Sequence, residues 1–509
     1  MIMGFLDTSN KEREYLIVEP NFTSAICYGQ TGSGKTTGFM LPNIQNRIKL
    51  GHGVLVYDFK GNSHEAIKVL AKKHNKLSEV YEIGKPWGVN IDILKYASTK
   101  NLQSMFDAVS GSHQGSYWSQ SAFTLFENIF FMLKSFRNAV EVARSLNDKL
   151  VALNEQTEKK YKPTLENIAS FVSSAYALNR MFKNIKKEYE YLDKILKPEI
   201  LENYHRKKNR QTLAKFLTYL DDMHKRYKNI GEYHNIKNDG DENSGNNGVL
   251  QVLSNTLQNI ANKKFFNDDK FDIVANLLDG KIVIIDVSSF NTQMLNFLNL
   301  SIYNRLLLQA AQKQKRNDVS VFIDEAQKVL NQHSIPDVDV CRENRFEFIL
   351  ATQDITLLMQ QIGIESTTVL LKNITSQYSF KTTSPIDAPK DTSKLKKFEC
   401  MDIIKDRIHR VKPIFLSDDE LFETEYIHQK VTDALGYANI KTKRAYILKY
   451  APELESEYKT LVYFRDKNET KVVDVYFDEV LIVEHLKSIE DFNSKNKADS
   501  DNVSGFIEF

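Results

Sequence analysis

Cysteine and net charge are both low in this chain, and each shortage excludes a class of protein. The 509 residues include 3 cysteines, and the formal net charge is only +2. Cys27, Cys341 and Cys400 lack the close spacing of a zinc site or a disulfide framework, which favours a reducing compartment. The small net charge excludes a uniformly basic surface, so any face that binds an anion must be local.

Apolar runs long enough for a membrane are missing as well. The first 19 residues carry charges where a signal peptide needs an apolar core. The most apolar helical stretch, residues 121–133, is short and contains Glu127. We therefore expect no membrane segment in this chain, a cytoplasmic location, and recruitment to the inner face of a membrane only through a partner.

Strand patterns are present in two groups that flank a long helical stretch. The apolar runs of strand type are residues 24–28, 53–58, 79–83, 281–287, 319–323 and 346–351. Several of these runs are continuously apolar, as is typical of strands covered on both faces, and helical patterns alternate with them. The sequence therefore predicts an α/β fold with a mainly parallel sheet.

The domain organisation follows from changes in pattern along the chain. Residues 102–230 show apolar positions at helical spacing and little glycine, and a polar run rich in asparagine and glycine at 235–248 indicates a mobile closing loop. Two strand patterns near residues 460–477 predict a β-hairpin. The predicted domains are a first core part (1–101), an inserted all-helical domain (102–248), a second core part (249–383), a C-terminal α+β extension (384–487) and a flexible acidic tail (488–509).

The strongest motif is GQTGSGKT at residues 29–36, which fits the pattern G-x-x-x-x-G-K-[ST] in full. An apolar strand pattern precedes it and a helical pattern follows. Glycines let successive N–H groups face a phosphate, Lys35 reaches the β- and γ-phosphates, and the Thr36 hydroxyl binds Mg²⁺. The predicted ligands are ATP and Mg²⁺. The predicted nucleotide contacts are Gly29, Gln30, Thr31, Gly32, Ser33, Gly34, Lys35, Thr36 and Thr37.

Polar side chains at the ends of three other predicted strands complete this candidate site. Asp324 is predicted to hold Mg²⁺ together with Thr36, and Glu325 to orient and polarise an attacking water, which indicates hydrolysis. Gln353 is predicted to contact the γ-phosphate and to report its loss. Asp58 could reach the metal or the P-loop, and Lys60 and Gly61 could meet a phosphate, or this segment is only a turn after the strand; both interpretations stay open.

Five motifs in sequence order resemble those of type IV coupling proteins, the conjugative DNA-transfer ATPases within the hexameric FtsK/HerA-like P-loop DNA pumps. They are GQTGSGKTTGFMLPNI, VYDFKGN, the Tyr117-Trp118 pair, IDEAQ and LATQD, and the resemblance covers about residues 22–383. It implies a RecA-like P-loop NTPase core with an inserted all-α domain. The family usually has Asp-Pro-Lys-Gly-Glu where this chain has DFKGN at residues 58–62, so any role of the final acid is lost or passes to Glu65. The family's N-terminal membrane helices have no counterpart in this sequence.

The resemblance also implies a ring, a homo-hexamer in which a basic residue of one subunit completes the site of the next. Arg342 and Arg345 are the candidates for this trans-acting role, with Lys372 a weaker one. Surface or packing roles are the alternative for each of them.

A local excess of positive charge indicates where DNA would bind. Residues 101–230 contain 21 Lys and Arg against 14 Asp and Glu. Basic side chains neutralise phosphates without reading bases, and the densest cluster contains Arg206, Lys207, Lys208 and Arg210. A solvated helix face is the alternative explanation of this cluster.

The sequence thus predicts an ATP-hydrolysing ring motor that translocates DNA in conjugative transfer or type IV secretion, with relaxase or secretion-channel proteins as partners. Two alternatives stay open. One is a HerA-like translocating ATPase in defence against foreign DNA, with a nuclease partner. The other is a substrate-recruiting adaptor whose ATP hydrolysis drives assembly only.

Overall fold

Strands in two groups and a set of long helices make up the described part of the chain. This computed structural model describes residues 13–61, 63–85, 88–95, 97–110, 117–146, 159–202, 210–234, 244–261, 271–309, 316–382, 392–417, 420, 460–466 and 469–475. The strands are β1 Ala25–Tyr28, β2 Gly53–Asp58, β3 Val80–Ile83, β4 Ile282–Asp286, β5 Val319–Ile323, β6 Phe346–Thr352, β7 Ser376–Phe380, β8 Glu399–Asp402, β9 Arg407–Arg410, β10 Thr460–Asp466 and β11 Glu469–Val475.

Thirteen α-helices lie in these described ranges, and a π-type turn at Thr36–Met40 precedes the first of them. The helices are α1 Leu41–Leu50, α2 Ser63–Lys73, α3 Thr99–Asp107, α4 Tyr117–Leu146, α5 Leu165–Phe171, α6 Ala175–Glu202, α7 Arg210–His234, α8 Ser244–Ala261, α9 Ile273–Leu278, α10 Thr292–Gln309, α11 Ala326–Val329, α12 Ile355–Ile362 and α13 Ile364–Asn373.

The large sheet has nine strands in the order β3-β4-β2-β5-β6-β1-β7-β8-β9. The first seven strands along the chain are mutually parallel, and β8 and β9 are added antiparallel at one edge. Strands β1, β2, β4, β5 and β6 are buried along their whole length, because helices cover both faces of such a sheet. This topology confirms the predicted α/β class, with the mainly parallel sheet of a RecA-like P-loop core.

The order of the strands positions the candidate site. Parallel strands have their carboxyl ends at one edge, and the loops that follow β1, β2, β5 and β6 therefore meet there. Strand β6 lies between β1 and β5, so the P-loop after β1 and the acids after β5 stand two strands apart across the end of β6.

The chain divides into two compact units. One contains residues 1–89, 273–290 and 306–509 with the large sheet, and α1 and α2 pack together beside β2. The other contains residues 90–272 and 291–305 and is helical in its described part, where α4 packs against α7 and α8, and α6 packs against α7.

Some predicted local features differ from the structure. The loop predicted at residues 235–248 is wrong from Ser244 onward, because α8 begins there. Its polar start is followed by the apolar face of VLQVLSNTL, whose burial selects a helix. Residues 235–243 lie outside the described residues. The predicted hairpin is confirmed, since β10 pairs antiparallel with β11.

A buried ion pair joins a helix to the centre of the sheet. Arg47 in α1 and Glu347 in β6 are both 0% exposed, and Arg47 Nε donates to Glu347 Oε1 at 2.6 Å and Nη2 to Oε2 at 3.2 Å. Ser320 Oγ donates to Glu347 Oε1 at 2.7 Å, and Arg47 Nη1 donates to the Val18 carbonyl at 2.9 Å. Both charges are thus paired and hydrogen-bonded, the condition under which buried ions are tolerated.

None of the helices in the described ranges has the length and unbroken apolar character that crossing a bilayer requires.

Candidate nucleotide-binding site

The P-loop turns tightly between β1 and the π-type turn because its glycines adopt backbone angles that other residues avoid. Gly29, Gly32 and Gly34 have φ of +151°, +79° and +106°. A Cβ added to Gly29 would lie 2.8 Å from Phe380 Cβ, and one added to Gly34 would collide with the Phe398 ring. Glycine is therefore required at both positions by conformation and by space.

Inside this loop are polar atoms suited to a phosphate. Lys35 is 7% exposed, and its ammonium donates to the carbonyls of Gly29 and Gln30. Burial lowers the pKa of Lys35. The buried Ser33 hydroxyl oxygen has no hydrogen-bond partner among the described residues. Since buried polar atoms are normally satisfied, a phosphate bound in the loop would supply this partner.

The two predicted metal ligands lie side by side in the structure, although they are 288 positions apart in the sequence. Thr36 Oγ1 donates to Asp324 Oδ2 at 2.9 Å. Burial raises the pKa of Asp324, and a cation beside the carboxylate would lower it again. Mg²⁺ prefers oxygen ligands and is commonly held by one or two protein groups plus substrate phosphates, so these two side chains fit it. In the described part of the chain no cluster of three His, Cys, Asp or Glu residues could hold a metal alone.

Glu325 has an unusual backbone conformation and a side chain that accepts three hydrogen bonds. Its φ of +56° lies in the left-handed region, which is rare for a residue with a Cβ and is found at functional sites. The side chain accepts hydrogen bonds from Gln327 Nε2 at 2.6 Å and Lys60 Nζ at 3.1 Å, and from Gln353. Burial alone would raise the pKa of Glu325, but these donors outweigh it and the pKa lies below its ordinary value.

Gln327 is a site residue for which no role was predicted, whereas Lys60, for which a phosphate contact was left open, contacts Glu325. The Gln327 amide oxygen accepts from Thr352 Oγ1 at 2.8 Å, so Gln327 joins Glu325 to the end of β6. Lys60 follows β2, and its ammonium also lies 4.0 Å from Asp324 Oδ2. Gln327 belongs to the IDEAQ motif, and its position two residues after Glu325 could have indicated a contact between the two side chains. The Lys60 contact depends on β2 and β5 being neighbours, which no local pattern specifies.

Asp58 is buried at the end of β2, and its carboxylate accepts hydrogen bonds from the turn that follows. Oδ1 accepts the Gly61 N–H at 2.9 Å, and Oδ2 accepts the His64 N–H at 3.1 Å and lies 3.2 Å from His64 Nδ1. Of the two interpretations left open, this geometry favours the turn. Glu65, the proposed substitute acid, is 2% exposed and pairs with His64 at 2.8 Å and Lys68 at 3.1 Å.

The candidate basic residues lie away from the P-loop of their own chain. Arg345 Nε pairs with Asp318 Oδ1 at 2.6 Å, at the amino ends of β5 and β6, and Arg342 is exposed in the preceding turn. Lys372 is exposed near the end of α13. A role for any of them in a neighbouring subunit stays a prediction.

The proposed DNA-binding cluster can be placed only in part. Arg206, Lys207 and Lys208 lie outside the described residues, and Arg210 begins α7.

Residues that flank β7, β8 and β9, the strands beyond β1 in the sheet, also contact the P-loop or the residue after it, and no sequence pattern predicted these contacts. The Gln30 N–H donates to the Lys381 carbonyl after β7 at 2.9 Å. The Phe398 N–H donates to the Ser33 carbonyl at 3.3 Å, and the Ile414 N–H donates to the Thr37 carbonyl at 2.8 Å. The short polar strands SQYSF and RIHR carry little apolar periodicity that could have revealed them.

The solved structures to which this chain is similar are distant in sequence. The bacterial conjugative coupling protein TrwBdeltaN70, in its unbound monoclinic form, is 10% identical, with 81% of this chain and 91% of that chain covered and a TM-score of 0.42. Plasmid coupling protein TrwB in complex with ADP and Mg²⁺ is 10% identical, covering 81% and 92% with a TM-score of 0.44. VirB4 of Thermoanaerobacter pseudethanolicus is 10% identical, covering 78% and 90% with a TM-score of 0.40.

A family model gives the assignment. No curated protein matches this chain. The model of the family described as Type IV secretory system Conjugative DNA transfer, however, matches residues 1–397. That match spans the P-loop, the Asp324-Glu325 pair and Gln353 in one alignment. The chain therefore belongs to the type IV secretory system conjugative DNA transfer family, the coupling proteins.

Proposed function

We propose that this chain is an Mg²⁺-dependent ATPase that works as a ring of identical subunits and moves DNA in conjugative transfer.

 The observation that carries the proposal is the 2.9 Å hydrogen bond between the Thr36 hydroxyl and Asp324, with Glu325 beside it. It supports a site in which a phosphate cradle, a metal-binding pair and a candidate base act together at one edge of the sheet. Family membership supports DNA as the cargo and conjugative transfer as the setting.

The residues of the P-loop bind and orient the triphosphate. Backbone N–H groups and the Ser33 hydroxyl face the phosphates, and Lys35 moves from the loop carbonyls to the β- and γ-phosphates. Thr36 and Asp324 would hold Mg²⁺, which would neutralise the negative charge that develops on the phosphates during hydrolysis.

Glu325 then orients and polarises the attacking water. Its carboxylate accepts three hydrogen bonds in this structure, from Gln327, Gln353 and Lys60, and its two oxygens offer about four acceptor positions, so one position remains for the attacking water. Gln353 can change its partner, because an amide at the end of β6 can bond either to Glu325 or to the γ-phosphate. Its hydrogen bonding would thus distinguish the triphosphate from the diphosphate.

Movement of DNA requires contact between the motor and the phosphate backbone. The excess of Lys and Arg in residues 101–230 makes this stretch the proposed contact region, with Arg206, Lys207, Lys208 and Arg210 as its densest cluster. A ring would bring one of Arg342, Arg345 and Lys372 to the neighbouring site, where such a residue accelerates hydrolysis by about three to five orders of magnitude.

The ATPase rate with and without DNA tests the proposal. We expect DNA to stimulate hydrolysis by the wild-type chain, whereas an assembly-only adaptor would hydrolyse ATP at the same rate in both conditions. Reversing the basic cluster to glutamate should weaken DNA binding and make the slope of affinity against salt shallower by about 1 or more, because fewer counterions are released. The variant is Arg206→Glu, Lys207→Glu, Lys208→Glu and Arg210→Glu.

A matched control makes the same change of net charge on exposed lysines of the sheet-containing unit. The control variant is Lys49→Glu, Lys73→Glu, Lys394→Glu and Lys405→Glu. It should leave both the DNA affinity and its salt slope unchanged. Equal losses in the two variants would show that DNA responds only to overall charge and would remove the cluster from the proposed contact region.

A further inference from the structure

A surface beside the P-loop carries an exposed aromatic side chain that the proposed hydrolysis does not use. Phe415, in the segment after β9, is 67% exposed. Its ring meets the buried Phe398 ring edge to face, with the centroids 5.6 Å apart and the planes at 82°. One face of a large apolar ring is thereby left available beside the nucleotide site.

Three contacts fix this ring relative to the P-loop. The Ile414 N–H donates to the Thr37 carbonyl at 2.8 Å, so the residue before Phe415 touches the first turn after the loop. The Phe398 N–H donates to the Ser33 carbonyl at 3.3 Å, and the Phe398 ring fills the space where a Cβ on Gly34 would stand. Phe415 therefore follows directly after a residue that is hydrogen-bonded to Thr37, and only the Phe398 ring separates it from Gly34.

The order of the strands decides which end of a nucleotide reaches Phe415. Glu325 and Gln353 follow β5 and β6, which lie on one side of β1, whereas β7, β8 and β9 lie on the other side. A triphosphate whose γ-phosphate lies near Glu325 extends across the P-loop, which cradles its α- and β-phosphates. The nucleoside attached to the α-phosphate then lies toward β7 to β9, where Phe415 is.

We propose that Phe415, supported by Phe398, stacks on the base of the bound nucleoside triphosphate and favours a purine. This inference rests on the proposed function, because it needs a triphosphate in the P-loop. Every base has a π-face that can stack on an aromatic ring, and the larger purine covers more of that ring.

Calorimetric titration with three ligands in the presence of Mg²⁺ separates the base from the phosphates. The ligands are ATP, CTP and inorganic tripolyphosphate. Phe415→Ala should weaken ATP binding about tenfold, which is the loss expected for one base–aromatic stack. CTP should lose less, and tripolyphosphate should bind as it does to wild type because it has no base. Phe415→Trp should restore the affinity for ATP.

Ile404→Ala provides a matched control on the same strands. Ile404 is 58% exposed in the turn between β8 and β9, and β8 runs antiparallel to β7, so this turn lies at the edge opposite the P-loop. The control should bind all three ligands like wild type. Unchanged ATP affinity in Phe415→Ala, or equal losses for ATP and tripolyphosphate, would overturn the stacking role alone. Failure of the wild-type chain to bind tripolyphosphate and ATP would overturn the proposed function together with it.

Discussion

Replacing Glu325 with glutamine is expected to stop ATP turnover while leaving ATP binding intact. Glutamine keeps the size of the side chain and can still accept a hydrogen bond from Gln327, but it cannot polarise water as a carboxylate does. The expected fall in kcat is at least about 10²-fold, the lower end of the contribution of a positioned base. Single-turnover hydrolysis and equilibrium binding of ATP, measured on the same preparation, check the two halves of this result.

Two further variants serve as controls for Glu325→Gln. Lys35→Ala should lose both binding and turnover, because Lys35 contacts the phosphates in the ground state and during the reaction. Glu343→Gln makes the same substitution at an exposed position between β5 and β6 and should behave like wild type. Normal turnover in the Glu325→Gln variant would remove Glu325 from the catalytic role.

Replacing Arg47 with methionine should destabilise the sheet-containing unit by about 3–5 kcal/mol, the cost of leaving one member of a buried ion pair unpaired. Glu347 would be left without its cationic partner in a site that is 0% exposed, and the Val18 carbonyl would lose its donor. Urea denaturation followed by circular dichroism measures the change in the free energy of unfolding.

The partner residue and a neighbour on the same helix supply the controls. Lys49→Met, an exposed position in α1, should change stability by no more than about 0.5 kcal/mol. Adding Glu347→Gln to Arg47→Met should recover part of the lost stability, because the buried anion is removed. Equal denaturation midpoints for Arg47→Met and Lys49→Met would contradict the assigned cost of the unpaired carboxylate.

Sequence patterns predicted the elements of the site that are local. The P-loop, the Asp324-Glu325 pair and Gln353 each follow a largely apolar strand, and one short stretch of sequence contains both the strand and the polar residues after it. Parallel pairing then brings the strand ends to one edge, so their convergence could be predicted without knowing the strand order.

The parts that were missed depend on which strands are neighbours. Lys60 reaches Glu325 only because β2 pairs with β5, and Phe398 covers Gly34 only because β8 joins the sheet beside β7. Strand β9 reads RIHR, and its partly exposed edge position needs no apolar periodicity. Asp58 was ambiguous because an acid at the end of a strand can bind a ligand or close a turn, and only its contacts with Gly61 and His64 distinguish the two.

The claim that ATP hydrolysis moves this protein along DNA is tested most directly by displacement of a third strand from a DNA triplex. We predict that the wild-type chain with ATP and Mg²⁺ releases the third strand, and that the Glu325→Gln variant, which still binds ATP and DNA, does not. Release by both proteins at the same rate, or by neither while the wild type hydrolyses ATP, would contradict the account.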